Sequence, residues 1–379
     1  MFNSLNKVDI KYMGSVFAHE NSMIATDFYQ SSNILAQKLS SVMGLNHVCS
    51  PLSIAIITSL LHLASVGNTE TQITNLMTRK SRLDELVQCS KIFNTDVVKL
   101  ANLILVNQDL PVKKEYTEML RELALVSNED FNNTSKIVNE ANSFIELNTN
   151  NLIKEILKED MISTDTLMIL ISTIYFKTKW AMPFKHHDTH NKKFNVSSDT
   201  TVDVMMMTNT KNYQYSEDSN MQLVELPYVG NEYCMGIILP KQGVNIADCT
   251  LYLDTVQTKL ERVEVYIPKF TQRSNIDLIP YMKKMGITDL FCEQSRLDNM
   301  ISMSGDDYAF VSTMIHEAVV IVDEEGTEAS AVTVAVCMME CAMMKPKAII
   351  FNANHPFIYY IKHKPSNTLL FVGDFHGNS

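Results

Sequence analysis

Glycine and tryptophan are scarce in this chain of 379 residues, which contains 11 glycines and 1 tryptophan. A glycine-rich loop of the kind that cradles phosphate is missing, and so are a Gly-x-Ser-x-Gly elbow and a His-Glu-x-x-His pair. The cysteines lack the paired spacing of a structural metal site. The chain therefore lacks the common signatures of nucleotide-binding enzymes, serine hydrolases and zinc proteases. We therefore expect no enzymatic activity, no cofactor and no bound metal.

Linkers, internal repeats and low-complexity tracts are also missing, and 46% of the residues are hydrophobic. A chain of this length and composition can bury a large core, so we expect one domain over residues 1–379. The formal net charge is -11, which disfavours nucleic acid and anionic membrane surfaces as partners. We expect a monomer.

The cysteines and the N-terminus bear on the cellular compartment. The seven cysteines are odd in number and scattered along the chain, unlike a disulfide framework. The N-terminal residues lack the uninterrupted apolar stretch of a secretory signal, and no apolar run is long enough to cross a bilayer. These features favour the cytoplasm, with secretion as the alternative.

Apolar periodicity predicts helices in the first part of the chain and strands later. Helical spacing covers Ser53–Ala64, where Pro51 suits the first turn, and Val138–Leu157. Runs typical of strands are Met168–Phe176, Gln222–Pro227, Met235–Pro240, Val263–Ile267, His316–Val322 and Ile358–Ile361. This order favours an α+β domain, mainly helical at its N-terminal part, with large antiparallel or mixed sheets. The basic stretch Lys185–Lys193 is predicted to be a solvated loop, with a metal or polyanion site as the alternative.

One segment near the C-terminus has the alternation of a strand with one unusually small face. Counting by two from Thr327 places on that face Thr327, Ala329, Ala331, Thr333 and Ala335. The charge of Glu328 marks the opposite face as the outer one, which also carries Ser330, Val332, Val334 and Val336. A face without bulk can enter between existing strands without a clash. A core strand of unusual composition is the alternative interpretation.

The residues after this segment break the alternation. Cys337–Met344 has neither a helical nor a strand period, and Lys345-Pro346-Lys347 interrupts any continuing ladder. A strand-competent segment therefore runs into a long, exposed loop.

The segment that begins at Glu324 resembles the reactive loop of the serpins, which starts with an acidic pair, Gly-Thr-Glu and small residues. The resemblance covers nearly the whole chain, and Ile174–Trp180 is similar to the family's tryptophan-bearing strand. The other matching segments keep the family's order: Asn46–Ile54, Leu63–Thr69, Pro183-Phe184, Leu226–Tyr228, Ile238–Pro240, Pro268–Phe270, Met285–Ile287, His316, His355–Phe357 and Phe371–Gly373. The sequence is identified as a member of this family, of the intracellular ovalbumin-like or poxviral type.

This resemblance implies a serpin fold with a large central mixed sheet, smaller sheets and an exposed reactive loop at about residues 324–348. It also implies suicide inhibition, in which a target protease attacks the loop and remains attached as an acyl-enzyme. The cleaved loop then inserts into the sheet as a strand, so the partner is a covalently held protease. The hinge of the loop is Glu324, Glu325, Gly326, Thr327, Glu328, Ala329, Ser330 and Ala331.

The resemblance also assigns roles within the body of the protein. His316 is expected to hydrogen-bond Ser50 and Ser53 beneath the main sheet, forming a shutter that holds closed the gap used for insertion. Where most serpins have an asparagine in this network, the chain has Ser172, whose side chain is shorter and has fewer donors. Trp180 is assigned to the region that the family calls the breach.

The family's usual loop count identifies a candidate scissile bond. The count places the scissile residue thirteen positions after Thr327, at Glu340, with Cys341 following. Acid followed by cysteine is similar to the bait of the granzyme B inhibitor of cytotoxic lymphocytes and of poxviral inhibitors of caspases and granzyme B. A carboxylate there requires a basic pocket in the target. We therefore predict an acid-preferring target protease, with a solvated loop carboxylate as the alternative interpretation of Glu340.

Two other interpretations stay open. The target is an elastase-, chymotrypsin- or cathepsin-like protease if the bait is instead Met339, Met343 or Met344. A serpin fold that no longer inhibits would act as a binding or storage protein. As an enzyme, the chain offers only Cys341 as a nucleophile with His316 or His355 as base, and nothing near Cys341 indicates a lowered thiol pKa.

Overall fold

The structure is a computed structural model of the chain, and it describes residues 27–44, 46–253, 256–302, 308–327 and 347–377. The α-helices in these residues are α1 (27–43), α2 (Pro51–Ala64), α3 (Gly67–Met77), α4 (Leu83–Phe93), α5 (Lys114–Leu120), α6 (Thr134–Asn148) and α7 (Ile279–Lys284). Short 3-10 turns cover Glu159–Met161, His186–Asp188, Ile246–Tyr252 and Asp289–Phe291.

The strands of the described residues follow in chain order. They are β1 (Val48–Cys49), β2 (Val98–Asn107), β3 (Leu125–Glu129), β4 (Met168–Phe176), β5 (Thr178–Lys179), β6 (His190–Asn195), β7 (Thr201–Glu217) and β8 (Met221–Pro227). The remaining ones are β9 (Tyr233–Pro240), β10 (Lys259–Pro268), β11 (Phe270–Asp277), β12 (Thr313–Val322), β13 (Gly326–Thr327), β14 (Ile349–Asn352), β15 (Phe357–His363) and β16 (Thr368–Phe375).

These strands form three sheets. The largest has the order β1-β16-β15-β9-β8-β7-β10-β14, with β6 paired to β7. A five-stranded sheet has the order β11-β12-β4-β2-β3, in which β12–β4 and β2–β3 are parallel and the other pairs antiparallel. β13 and β5 form a short antiparallel pair. Helices that precede large mixed sheets give the α+β architecture that the sequence predicts.

Helix α2 lies in the core between the two large sheets, where it contacts both β16 and β4. Every residue of α2 except Leu63 is buried, as expected for a helix that is apolar around its circumference. Pro51 occupies the first turn, and the Ser50 side chain caps the helix by accepting from the Ser53 backbone N–H at 3.1 Å. The cap fixes Ser50 and Ser53 directly beneath the five-stranded sheet.

The helix predicted over Val138–Leu157 is wrong at both ends. The observed α6 covers Thr134–Asn148. Asn150 and Asn151 follow with φ of 50° and 62°, a left-handed backbone that asparagine tolerates and that stops a helix. The apolar spacing beyond them belongs to an irregular segment that buries Ile153, Ile156 and Leu157. We call residues 149–162 the strap.

The prediction of a solvated loop over Lys185–Lys193 is also wrong in part. After the turn at His186–Asp188, the edge strand β6 pairs antiparallel with β7. All β6 side chains except Phe194 are exposed, and the Lys192 ammonium lies 4.1 Å from the centre of the Tyr266 ring. A strand whose side chains are nearly all solvated has the composition of a loop, because its ladder bonds are made by backbone alone.

Candidate functional site: the seam of the five-stranded sheet and its hinge

The boundary between β4 and β12, which we call the seam, is a parallel pairing in the middle of a mixed sheet. Its ladder runs from Thr313 opposite Ile169 to Ala318 opposite Ile174. Val319–Val322 extends β12 past the end of this ladder towards the hinge. Because the two seam strands are parallel, one new strand can be antiparallel to both of them at once.

The hinge begins beside the open end of the seam. Gly326 pairs with Lys179 and Thr327 with Thr178, antiparallel to β5. β5 continues the line of β4, since the intervening Lys177 N–H bonds Val97 O at 2.8 Å alongside β2. The hinge therefore already runs in the direction that a strand inserted at the seam requires.

Only glycine fits at position 326. A β-carbon there would lie 2.3 Å from Thr178 O and 2.6 Å from Lys179 Cα. Both of these are backbone atoms, which cannot rotate away as a side chain would. The glycine thus permits the close approach that lets the hinge start its pairing.

Glu324 anchors the hinge electrostatically. Its side chain is 4% exposed, and a carboxylate oxygen lies 2.6 Å from Lys269 Nζ, while His186 Nδ1 is 3.5 Å from the other oxygen. Burial is the largest single influence and opposes ionisation, but the hydrogen bonds from Lys269, the backbone and Thr189 and the charge of Lys269 together hold the pKa of Glu324 below its usual value. The Glu324 carbonyl also accepts from the Phe184 N–H at 2.8 Å.

Trp180 and Tyr228 hold the other side of the hinge. The Trp180 indole N–H donates to Asp323 O at 2.9 Å, and the Trp180 backbone N–H donates to Glu325 O at 2.8 Å. The indole stacks on Tyr228 with centroids 4.4 Å apart, and the Tyr228 hydroxyl lies 2.8 Å from Thr327 Oγ1. Sequence reasoning assigned no role to Tyr228, because its partners come from distant parts of the chain.

His316 lies beneath the seam and is fully buried. The Ser50 backbone N–H donates to His316 Nε2 at 2.9 Å, so this nitrogen is unprotonated. The other ring nitrogen, Nδ1, carries the proton and donates to Ser172 O at 3.1 Å. Burial lowers the pKa of His316 to about 4, and the neutral imidazole ties the helix cap to β4 across the seam.

Ser53 reaches the seam through Ser172 and not through His316. The hydroxyl of Ser53 lies 2.6 Å from that of Ser172, and the Ser172 hydroxyl donates to Asn102 Oδ1 at 3.1 Å. The Asn102 amide in turn donates to Leu123 O at 3.0 Å. Asn102 stands directly opposite Ser172 in the β2–β4 ladder.

Asn102 is the site residue that sequence reasoning missed. Asn102 lies on the neighbouring strand β2 and supplies an amide group to the network, whereas the side chain of Ser172 has no amide group. The available signal was a single polar residue inside the apolar run 100–106, which a strand buried on both faces tolerates only when the side chain is hydrogen-bonded. Asn102 is 3% exposed.

The Asn102→Ala variant is expected to lose about 1–3 kcal/mol of stability, because it removes the donor to the Leu123 carbonyl and one acceptor of the buried Ser172 hydroxyl, which keeps only its contacts with Ser53. Urea unfolding followed by tryptophan fluorescence measures this loss. The matched control is Asn191→Ala on the exposed face of β6, which should change the midpoint little. Equal midpoints for the two variants would show that Asn102 contributes nothing to the network.

Several residues predicted from the sequence fall outside the described residues. These are Glu328, Ala329, Ser330, Ala331, the bond Glu340-Cys341, and the alternative bait residues Met339, Met343 and Met344. His355, the other candidate base, is described, and its Nε2 lies 2.8 Å from Pro240 O.

Two features of the described ranges bear on metal binding and on membrane spanning. No group of three or more His, Cys, Asp or Glu side chains is arranged there to hold a metal ion. None of the helices in that part of the chain combines the length and apolar character needed to span a bilayer.

Known proteins resemble this chain over most of its length. The family model described as Serpin (serine protease inhibitor) matches residues 19–377. An uncharacterized serpin-like protein of Acanthamoeba polyphaga mimivirus is 35% identical over 347 residues, covering 87% of this chain and 84% of that protein. The leukocyte elastase inhibitor of Equus caballus is 31% identical over 356 residues, covering 87% of this chain and 92% of that protein.

Solved structures agree on the fold. Native protease nexin-1 with heparin superposes with a TM-score of 0.82 at 23% sequence identity, covering 94% of this chain and 100% of that chain. The chain therefore belongs to the serpins, the family of serine protease inhibitors.

Proposed function

We propose that this protein is a suicide inhibitor that traps a protease by inserting its cleaved reactive loop into the seam. The observation that carries the proposal is the antiparallel pairing of Gly326 and Thr327 with β5. A hinge already paired in this sense needs no reorientation to continue between β4 and β12. Cleavage of the loop would free the strand to do so.

The register of the hinge supports the small-face interpretation. If the pairing of the hinge with β5 continued along β4 without a shift, residue 329 would face Phe176, residue 331 would face Ile174 and residue 335 would face Leu170. Residues directly opposite each other in a ladder point to the same face, and these three β4 side chains belong to the main core. A core that is already packed admits alanine there and rejects bulk.

The driving force comes from the new ladder. Insertion breaks the parallel ladder between β4 and β12 and replaces it by one ladder on each side of the new strand, a net gain of about one ladder. On the β4 side, the nine residues of β4 would pair with residues 329–337 of the inserted strand. Net hydrogen bonds of about 0.5–1.5 kcal/mol each then favour the inserted form by an amount on the order of 10 kcal/mol. Val332, Val334 and Val336 on the outer face add strand preference.

The chemistry of the trap belongs to the target protease. Its nucleophilic oxygen or sulfur attacks the carbonyl carbon of Glu340, the bond to the Cys341 nitrogen breaks, and the nitrogen leaves protonated as a new N-terminus. The acyl-enzyme bond stays intact while the hinge inserts. The protease is carried along the sheet, and its active site is distorted before water completes hydrolysis.

The same register supports the position of the bait. Residue 337 would be the last one opposite β4, and Glu340 follows three residues later. A cut after Glu340 thus leaves a strand long enough to fill the seam. The carboxylate of Glu340 selects a target with a cationic pocket, as in granzyme B-like or caspase-like proteases.

One relative favours a second candidate target. The equine protein reported above is by its name an inhibitor of leukocyte elastase. Its likeness to this chain supports an apolar-preferring target, with the bait then at Met339, Met343 or Met344.

The proposed compartment is the cytoplasm. The described cysteines Cys49, Cys89, Cys234, Cys249 and Cys292 are all free thiols, which supports a reducing environment. Burial raises the pKa of Cys49 to about 12, so this thiol stays protonated and unreactive.

Incubation with granzyme B, a caspase, an elastase and a cathepsin tests the proposal. We expect a covalent complex with an acid-preferring protease on a denaturing gel, and a released C-terminal fragment that begins at Cys341 by mass. Glu340→Ala should abolish this complex, whereas Glu261→Ala, exposed on β10, should leave it unchanged. A fragment that begins at another residue would overturn the assigned bait, and cleavage without any complex would favour a non-inhibitory protein.

A further inference from the structure

The strap covers the seam from the side opposite α2. Its buried Ile153 and Ile156 form one apolar cluster with Ile171 of β4 and with Ile315 and Val319 of β12. Helix α6, which precedes the strap, packs on β2 in the same cluster. A single layer therefore lies across both strands that border the seam.

One end of the strap is fastened to β11, on the β12 side of the seam. The Arg273 guanidinium donates to Leu152 O at 2.7 Å, and the Asn275 amide donates to Ile156 O at 3.3 Å. Both side chains also hold Glu317 of β12, with Arg273 Nε 3.2 Å from one carboxylate oxygen and Asn275 Nδ2 3.0 Å from the other.

Glu317 makes this attachment rigid. Its side chain is 2% exposed, so the carboxylate depends on Arg273 and Asn275 for hydrogen bonds that water does not supply. The Arg273 side chain is half exposed by comparison, at 49%. The buried carboxylate therefore fixes the direction of the guanidinium, which is then aimed at the strap.

The strap is also fastened to α6, on the β2 and β4 side of the seam, chiefly by Asn142, with Ser135 bonded to Glu159 at 2.6 Å and Lys154 lying 3.7 Å from Glu146. Asn142 Oδ1 accepts from the backbone N–H groups of Ile156 and Leu157 at 3.1 and 3.0 Å, and its amide donates to Leu157 O at 2.9 Å. Ile156 is therefore bonded both to α6 through its N–H and to β11 through its carbonyl.

Admitting a strand must strain these attachments. Each new strand widens a sheet by about 4.7–4.9 Å, far more than a hydrogen bond can stretch before it weakens steeply. The strap is bonded to elements on both sides of the seam, so opening the seam breaks the bonds at one end or the other.

We propose that Arg273, Asn275 and Glu317 form a clasp that ties the strap across the seam and sets the rate at which a strand enters it. These are positioning residues, since they act through the strap that they hold. The inference rests on the proposed insertion mechanism, and it assigns the control of that mechanism to residues of β11 and β12.

A synthetic peptide with the sequence of residues 327–340 tests the clasp on the intact protein without any protease. The peptide is added to the full chain, and the rate of complex formation is followed on native gels. Loss of a hydrogen bond to a charged group should speed entry by about tenfold or more in Arg273→Gln. Asn275→Ala should have a smaller effect in the same direction. The matched control is Arg296→Gln, which removes an exposed pair with Asp298 and should leave the rate unchanged.

The attachment of the strap to α6 supplies a second variant. Asn142→Ala should also speed entry, because it removes the three hydrogen bonds that Asn142 makes to Ile156 and Leu157 and so loosens the strap from α6. The seam can open once the strap is released from either β11 or α6. The double variant Asn142→Ala with Arg273→Gln should therefore be little faster than either single variant. If the two substitutions only destabilised the fold, their effects on the rate of entry would add in the double variant. The thermal midpoint would then fall in proportion to the increase in rate.

The outcomes separate the two proposals. If the peptide enters no form of the protein, including the parent, the insertion mechanism itself is wrong. If it enters the parent and every variant at the same rate, insertion stands and the clasp is wrong. Faster entry in all single variants, without addition in the double, establishes the clasp.

Discussion

The Thr327→Arg variant is expected to be cleaved by the target protease without trapping it. Thr327 is 2% exposed, and its hydroxyl contacts that of Tyr228. A guanidinium at this position must be buried without a partner for the strand to enter, which costs on the order of several kcal/mol. Insertion then becomes slower than hydrolysis of the acyl-enzyme, and the protease escapes.

The measurement is the ratio of covalent complex to cleaved inhibitor on a denaturing gel. The parent should give mainly complex and Thr327→Arg mainly cleaved chain. Glu328→Arg is the matched control, because it places the same side chain on the outer face, where the native residue is already charged. If Thr327→Arg traps as well as the parent, or if both variants fail alike, the assignment of the two faces is wrong.

The strands of the seam could be predicted from the sequence because their composition is extreme. β4 is buried at every position, and the apolar run that predicted it has the same bounds, Met168–Phe176. β12 begins at Thr313, three residues before the predicted start at His316. A strand buried on both faces is an unbroken run of apolar and β-branched residues, and such a run is unambiguous once turn residues bound it.

The strap and the edge strand could not be predicted, because their local pattern belongs to another structure. Ile153, Ile156 and Leu157 repeat at helical spacing, yet they are buried because the strap lies on the sheet. The side chains of β6 are polar because only its backbone pairs with β7. In both cases tertiary contacts override the local pattern that sequence reasoning uses.

The candidate site also contains some residues that could be predicted from the sequence and others that could not. The hinge residues at 324–327 form one continuous motif and could be found from sequence, whereas their partners Lys269 and Tyr228 lie about 55 and 100 positions away along the chain. The hydrogen bond between Ser50 and His316 could be predicted through the family resemblance. Asn102 could not, since the family's asparagine is expected elsewhere and only the pairing of β2 with β4 brings Asn102 opposite Ser172. Long-range pairing of this kind leaves no periodic signal in the sequence.

Protonation of His316 is expected to make the native form lose stability in mild acid. The pKa of this buried imidazole is about 4, below the ordinary value of 6.5. Between these two pH values the unfolded chain binds a proton that the folded chain does not, so the free energy of unfolding falls as the pH falls. The contribution is complete above pH 6.5 and is lost as the pH approaches 4, and the shift amounts to about 3 kcal/mol.

Urea midpoints at pH 5 and pH 7, followed by the fluorescence of Trp180, measure this loss. His316→Gln is the informative comparison, because glutamine offers one acceptor for the Ser50 N–H and donors for Ser172 O but does not titrate. Nearby carboxylates also titrate: the pKa of Glu324 is lowered, while burial raises that of Glu317. Both carboxylates are present in the parent and in the variant, so their contributions cancel in the difference. The parent should therefore lose more stability than His316→Gln between pH 7 and pH 5, whereas equal losses would mean that His316 is not the group that links the seam to pH.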